Sequence, residues 1–169
     1  MPGSLGDGGR RPASMPAMTR TAAPIPALLL AAWGGWEVSF ALYFGVVAPT
    51  ARQVLGSPPV VGLITQQVSW WFLAGGLLLA VATTGPARAA WRAGSRGWGA
   101  ALAVWTVALL AQAALHPLLD QHLSAATAAN LDRPQFRPLH HVYLALAMLQ
   151  WGAGLWLTWL QARRLRPLA

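Results

Sequence analysis

The sequence contains no cysteine and no lysine, and only four acidic residues. Without cysteine there are no disulfides, thiolate metal sites, iron–sulfur clusters or thiol nucleophiles. Charged residues make up 9% of the chain, against roughly 25% in an average soluble domain. That shortage is concentrated. Four stretches, 25–48, 60–83, 98–119 and 139–160, hold no arginine and a single acid, Glu37. Each is longer than the roughly 18 apolar residues that begin to span a bilayer core of about 30 Å. An ordinary soluble globule, a nucleic-acid-binding domain and a disulfide scaffold are excluded. The pattern predicts an all-α polytopic membrane protein: a four-transmembrane-helix up-down bundle over 25–165. The leader 1–24, rich in Gly, Pro, Ser and Arg, is expected to be disordered.

What charge there is comes from twelve arginines, giving a net +8. Nine of them (10, 11, 20, 88, 92, 96, 163, 164, 166) fall on one side of the expected membrane and three (52, 133, 137) on the other. The positive-inside rule then places both termini in the cytoplasm. The first partner this implies is the lipid bilayer, with arginine rims attracting anionic headgroups. The all-arginine, alanine-rich composition fits a bacterial cytoplasmic (inner) membrane. Met15 and Met18 are alternative starts; from either, Arg20 before the apolar run at 25–36 also resembles a signal peptide. An uncleaved first helix is preferred because the run continues to Ala48.

The first helix is expected to end at Pro49, the second at Gly85-Pro86, and the third to kink or end at Pro117. Ala27, Ala31, Gly35 and Ser39 recur every four residues and predict a face for close helix approach. The alanine-rich segment 124–131 is expected to form a short surface helix. Ten tryptophans are present. Trp91, Trp98, Trp156 and Trp159 are placed in an interfacial belt, and the others pack deeper.

Polar residues inside the spans are few. Glu37 is near the middle of the first span, where a carboxylate must be protonated, paired or facing water. Gln150 lies at similar depth in the fourth, and Gln66 and Gln67 lie in the second. Gln112, His116 and Asp120 share one face of the third helix, and His140, Tyr143, Ala147, Gln150 and Gly154 share one face of the fourth. The candidate cluster is therefore Glu37, Gln66, Gln112, His116, His140 and Gln150, with His116 and His140 expected to meet near the outer surface. Three readings follow. The polar groups bond the helices together in a structural or accessory membrane protein with no catalytic chemistry. Alternatively, Glu37 with the outer cluster forms a proton or small-solute path. In the third, His116 and His140 hold a metal ion or haem, although the adjacent His140 and His141 point about 100° apart on a helix. Phosphate-binding, dinucleotide, metalloprotease and serine-hydrolase motifs are absent. No catalytic residue and no cofactor is assigned. A second copy of the chain or another membrane protein remains open as a partner.

Trp33-Gly34-Gly35, Ala48-Pro49 and Phe136-x-x-Leu139-His140 give the chain a resemblance to the bacterial domain-of-unknown-function 4149 group, itself similar to the transmembrane protein 205-like proteins. The resemblance runs over roughly 25–165 and picks out His140. Thr50-Ala51-Arg52 depart from the phenylalanine expected after the first-helix proline. It implies a four-span fold and assigns no activity. The arginine count makes the topology testable: a reporter fused after Ala169 is expected to be active only as a cytoplasmic fusion, and periplasmic activity would overturn the assignment.

Overall fold

Prolines that sequence reasoning takes as stops are carried through by the helices. The computed structural model describes residues 24–124, 129–130 and 133–165. The expected leader therefore lies outside the described residues, except for its last residue. Helix α1 covers Pro24–Leu42, a π-helical turn covers Tyr43–Val47, and α2 covers Ala48–Leu55. The Ala48 N–H bonds to the Tyr43 carbonyl, five residues back. This wider turn accommodates Pro49, whose ring would collide with the carbonyl four residues back in a regular helix. The first helix thus does not end at Pro49 but at Gly56, which adopts φ +60° and donates to the Arg52 carbonyl at 3.1 Å.

Helix α3 runs from Pro58 to Arg92 with Pro86 inside it, two turns beyond the expected stop. In hydrocarbon a frayed end would expose several unpaired backbone groups, which costs more than the one bond Pro86 removes. The basic loop expected at 84–97 shrinks to a turn at Ala93–Ser95, with Gly94 at φ +83°. Helix α4 covers Arg96–Asp120 and ends three residues after Pro117. Helix α5 covers Arg133–Leu165, starting six residues before the expected Leu139. Between them, Leu123–Ser124 (β1) pairs antiparallel with Ala129–Asn130 (β2). The ends of the segment expected as a surface helix are thus a strand pair, and 125–128 and 131 lie outside the described residues.

Helix α4 packs between α3 and α5, and α1 packs against both α3 and α5. The ends of α2 and α4 and the starts of α3 and α5 line one cavity. Neighbours in sequence therefore run in opposite directions, as short connections favour. Inward positions on α3 (Leu73, Gly76, Ala80, Thr83, Ala87, Ala90) repeat every three and four residues, the seam of left-handed helix packing. At the centre, Trp33 and Trp36 of α1 meet Trp105 of α4 edge-on, with centroids 4.9 and 5.5 Å apart. The Trp33 indole N–H donates to Thr83 Oγ1 at 2.9 Å, and Thr83 donates to the Leu79 carbonyl at 2.7 Å.

The outward surface is apolar: Trp71, Leu78, Val81 and Val107 are each at least two-thirds exposed. The helices at Pro26–Leu55, Pro58–Arg92 and Arg96–Asp120 are long and apolar enough to cross a membrane. Helix α5 is as long, but His140, His141 and Gln150 dilute its apolar character. Trp91, Trp156 and Trp159 are exposed at the end away from the cavity, as an aromatic belt requires, while Trp98 is buried. Arg163 lies 4.5 Å over the Trp159 ring.

One expectation about packing is overturned. Ala27, Ala31, Gly35 and Ser39 are exposed, and a Cβ built on Gly35 would touch nothing within 4 Å. The face of α1 that packs is the bulky one, Trp33, Trp36, Glu37 and Phe40, because its rings fill the space between helices. Close approach occurs instead at Gly76, where a Cβ would lie 2.9 Å from Leu109 Cδ1 and 3.0 Å from Trp105 Cη2. Gly76→Ala is therefore expected to destabilise the fold by about 1–3 kcal/mol through overpacking. Gly35→Ala is expected to be neutral or to stabilise by up to about 1 kcal/mol through helix propensity. Unfolding in mixed micelles, followed by circular dichroism, checks the contrast.

Candidate functional site

The cluster sits along the axis of the bundle because the surrounding medium leaves polar side chains only the interior. A cavity of about 1040 Å³ opens at the end where α2, α3, α4 and α5 come together. Gln66, His116 and His140 all line it, as do Ser69 and Tyr143. Gln67, one residue on from Gln66, is exposed instead. His116 is buried and held on both sides. Asp120 Oδ2 lies 3.1 Å from its Nδ1, and the Gln66 carbonyl lies 3.2 Å from its Nε2. Its ring also rests on Trp70, with centroids 4.4 Å apart. His140 stacks on Phe136 at 5.2 Å. The two histidines thus share a cavity, but both His116 ring nitrogens face protein acceptors, which is not the arrangement of a metal or haem ligand. His141 faces outward.

Deeper, a void of about 10 Å³ shares Phe44, Ser69 and Tyr143 with the cavity and is also lined by Gln112 and Gln150. This is close to the volume that admits one water molecule. Gln112 and Gln150 are nearly fully buried and hydrogen-bonded to each other, Gln112 Nε2 donating to Gln150 Oε1. Gln112 also donates to the Ala108 carbonyl of its own helix. This pairing joins the two faces that the spacing singles out, although the contact expected between those faces is His116 with His140.

One helical turn past Gln150, Gly154 meets Glu37. The Glu37 side chain is 4% exposed, and its carboxyl packs directly against the Gly154 backbone, where a Cβ would have to lie. Neither carboxyl oxygen hydrogen-bonds to any described residue. The Trp105 indole nitrogen borders the same spot and is also unbonded, as are Trp36 Nε1 and Gln150 Nε2. The buried acid thus has one unused donor, the Trp105 indole, at the same spot. An unpaired buried polar group costs about 1–3 kcal/mol, so the Glu37 carboxyl is held there at a cost in stability.

The polar line continues on the other side. Tyr143, Ala147, Gln150, Gly154, Leu157 and Gln161 form the buried stripe of α5, and Gln161 and Thr158 carry buried polar atoms with no hydrogen bond to described residues. Trp33, one turn before Glu37 on α1, and Trp105, beside the Glu37 carboxyl, both have no exposed surface. Of the six predicted residues, Glu37, Gln112, His116 and Gln150 are buried, and Gln66 and His140 are half-buried along the cavity. Sequence reasoning left out Ser69, Trp105, Thr158 and Gln161. Gln161 was legible, eleven residues from Gln150 on one helix face. The approach of Trp105 to Glu37 joins two helices and has no local signal.

No family model, curated protein or solved structure matches the chain. The glutamine pair supplies a test of the geometry. Gln112→Leu leaves the Gln150 amide wholly unbonded and is expected to cost about 1–3 kcal/mol, while the Gln112→Leu/Gln150→Leu double change recovers much of that loss. Additive losses in a double-mutant cycle would show that the two side chains do not pair.

Proposed function

We propose that the protein crosses a bacterial cytoplasmic membrane four times, with both termini cytoplasmic, and relays protons between its outer cavity and Glu37. The fourth crossing is α5, whose polar inward stripe lowers its hydropathy without changing its length. The observation that carries the relay is the isolation of Glu37: a lone acid in the middle of the spans, buried, unbonded, and placed at the end of a line of polar groups from the cavity. Intramembrane acids at such positions mark ion and proton paths.

The line is Ser69 and Tyr143, then the Gln112–Gln150 pair, then Glu37 against Gly154. Hydroxyl and amide groups both donate and accept, so they can pass hydrogen bonds along with a water in the intervening void. The Trp33–Thr83 bond and the fully buried Trp105 ring support a closed end to this path beyond Glu37. Transfer onward to Thr158 and Gln161 then requires the tryptophan layer to part. Closure on one side keeps the membrane from leaking.

The test is proton flux in reconstituted vesicles containing a pH-sensitive dye, driven by a potassium diffusion potential. The parent chain is expected to exceed protein-free vesicles, and Glu37→Gln, which keeps the shape and removes the titratable group, is expected to fall to that background. A parent without flux, or a Glu37→Gln variant that matches it, would overturn the relay.

A further inference from the structure

The outer cavity is larger than a proton path needs, and its lining divides by chemistry. At the mouth stand two arginines from different helices, Arg52 of α2 and Arg137 of α5, both exposed. Among the described lining residues Asp120 is the one carboxylate, and it is already hydrogen-bonded to His116. Behind the mouth the wall is largely apolar, with Phe44, Val61, Leu119 and Leu144 contributed by the π turn and by α3, α4 and α5. The volume of about 1040 Å³ lies at the upper end of small-molecule sites. Two rim arginines with no ion pair to a described acid, above a largely apolar wall, suit a ligand with an anionic head and a hydrocarbon body. A small inorganic anion would leave that wall unoccupied, and a neutral lipid would leave the arginines unused.

We propose that this cavity binds a single-chain anionic amphiphile, its phosphate or carboxylate head held between Arg52 and Arg137 and its chain along the Phe44–Leu144 wall. Guanidinium forks recognise such oxyanions by paired charge-assisted hydrogen bonds. The inference deepens the relay reading by naming what the cavity takes, and it rests on that reading for the transport that follows binding. Binding itself does not involve Glu37.

The experiment is native mass spectrometry of the full chain released from detergent, titrated with dodecyl phosphate, dodecylphosphocholine and inorganic phosphate in separate arms. Saturable one-to-one binding of dodecyl phosphate is expected. The Arg52→Gln and Arg137→Gln changes are each expected to weaken it about tenfold, the size of one lost charge-assisted hydrogen bond. Arg88→Gln/Arg92→Gln, at the opposite end, is expected to leave it unchanged and controls for general loss of charge. Circular dichroism confirms that the exposed substitutions keep the fold. Equal binding of dodecylphosphocholine would overturn the anion requirement, and equal binding of inorganic phosphate would overturn the amphiphile. Unchanged binding in the Arg52→Gln/Arg137→Gln double variant would overturn the clamp. Glu37→Gln is expected to bind dodecyl phosphate normally while losing flux, so the failure of either proposal is visible separately.

Discussion

Hydrocarbon around the helices offers no partner to a polar group, and the arrangement of this protein follows from that constraint. Each buried amide, hydroxyl or carboxyl must face the bundle interior, while leucine, valine and even tryptophan side chains turn outward at little cost. The outside of α3 therefore carries Trp71, Leu78 and Val81, and its inside carries Ser69 and Thr83. Association is then driven by ring packing at Trp33, Trp36 and Trp105 and by a few cross-helix bonds, Trp33 to Thr83 and Gln112 to Gln150.

The same constraint explains why Glu37 stands out. Thr83, which accepts from Trp33 and donates to Leu79, and Thr65, which accepts from Tyr43 and donates to Val61, are fully engaged. Glu37 is equally buried and engages nothing described. It is held in place by shape: the absence of a side chain at Gly154 makes room for the carboxyl, and the Trp105 indole borders the same spot. A site built by steric fit with unused hydrogen-bonding capacity can change its protonation or partner without dismantling the bundle. That separation of fold from chemistry is what a relay residue needs.

Prolines mark where backbone demands and medium conflict. Pro49, Pro86, Pro117 and Pro138 all lie within helical segments. In water each would favour a helix end. Here the chain absorbs Pro49 with a π turn and lets the others interrupt single bonds. The π turn has a second effect, since Phe44 within it lines both the cavity and the void. The local irregularity thus falls where the polar line opens.

The sequence alone determined the medium, the helical class and the interior faces. Long uncharged runs require a bilayer, and in a helix the spacing of residues fixes which side chains share a face. Gln112 with His116 and Asp120, and Tyr143 with Gln150 and Gly154, were legible for that reason. Helix ends were misread at Pro49 and Pro86 because local propensity was judged as if in water. The tertiary structure decided everything that joins one helix to another: the bulky face of α1 packs rather than its small stripe, Gly154 receives Glu37, His116 is spent on Asp120 and the Gln66 carbonyl, and Arg52 and Arg137 reach one mouth. Such contacts depend on how helices rotate and slide against one another, which is set by the summed fit of many side chains and is not written in any one segment.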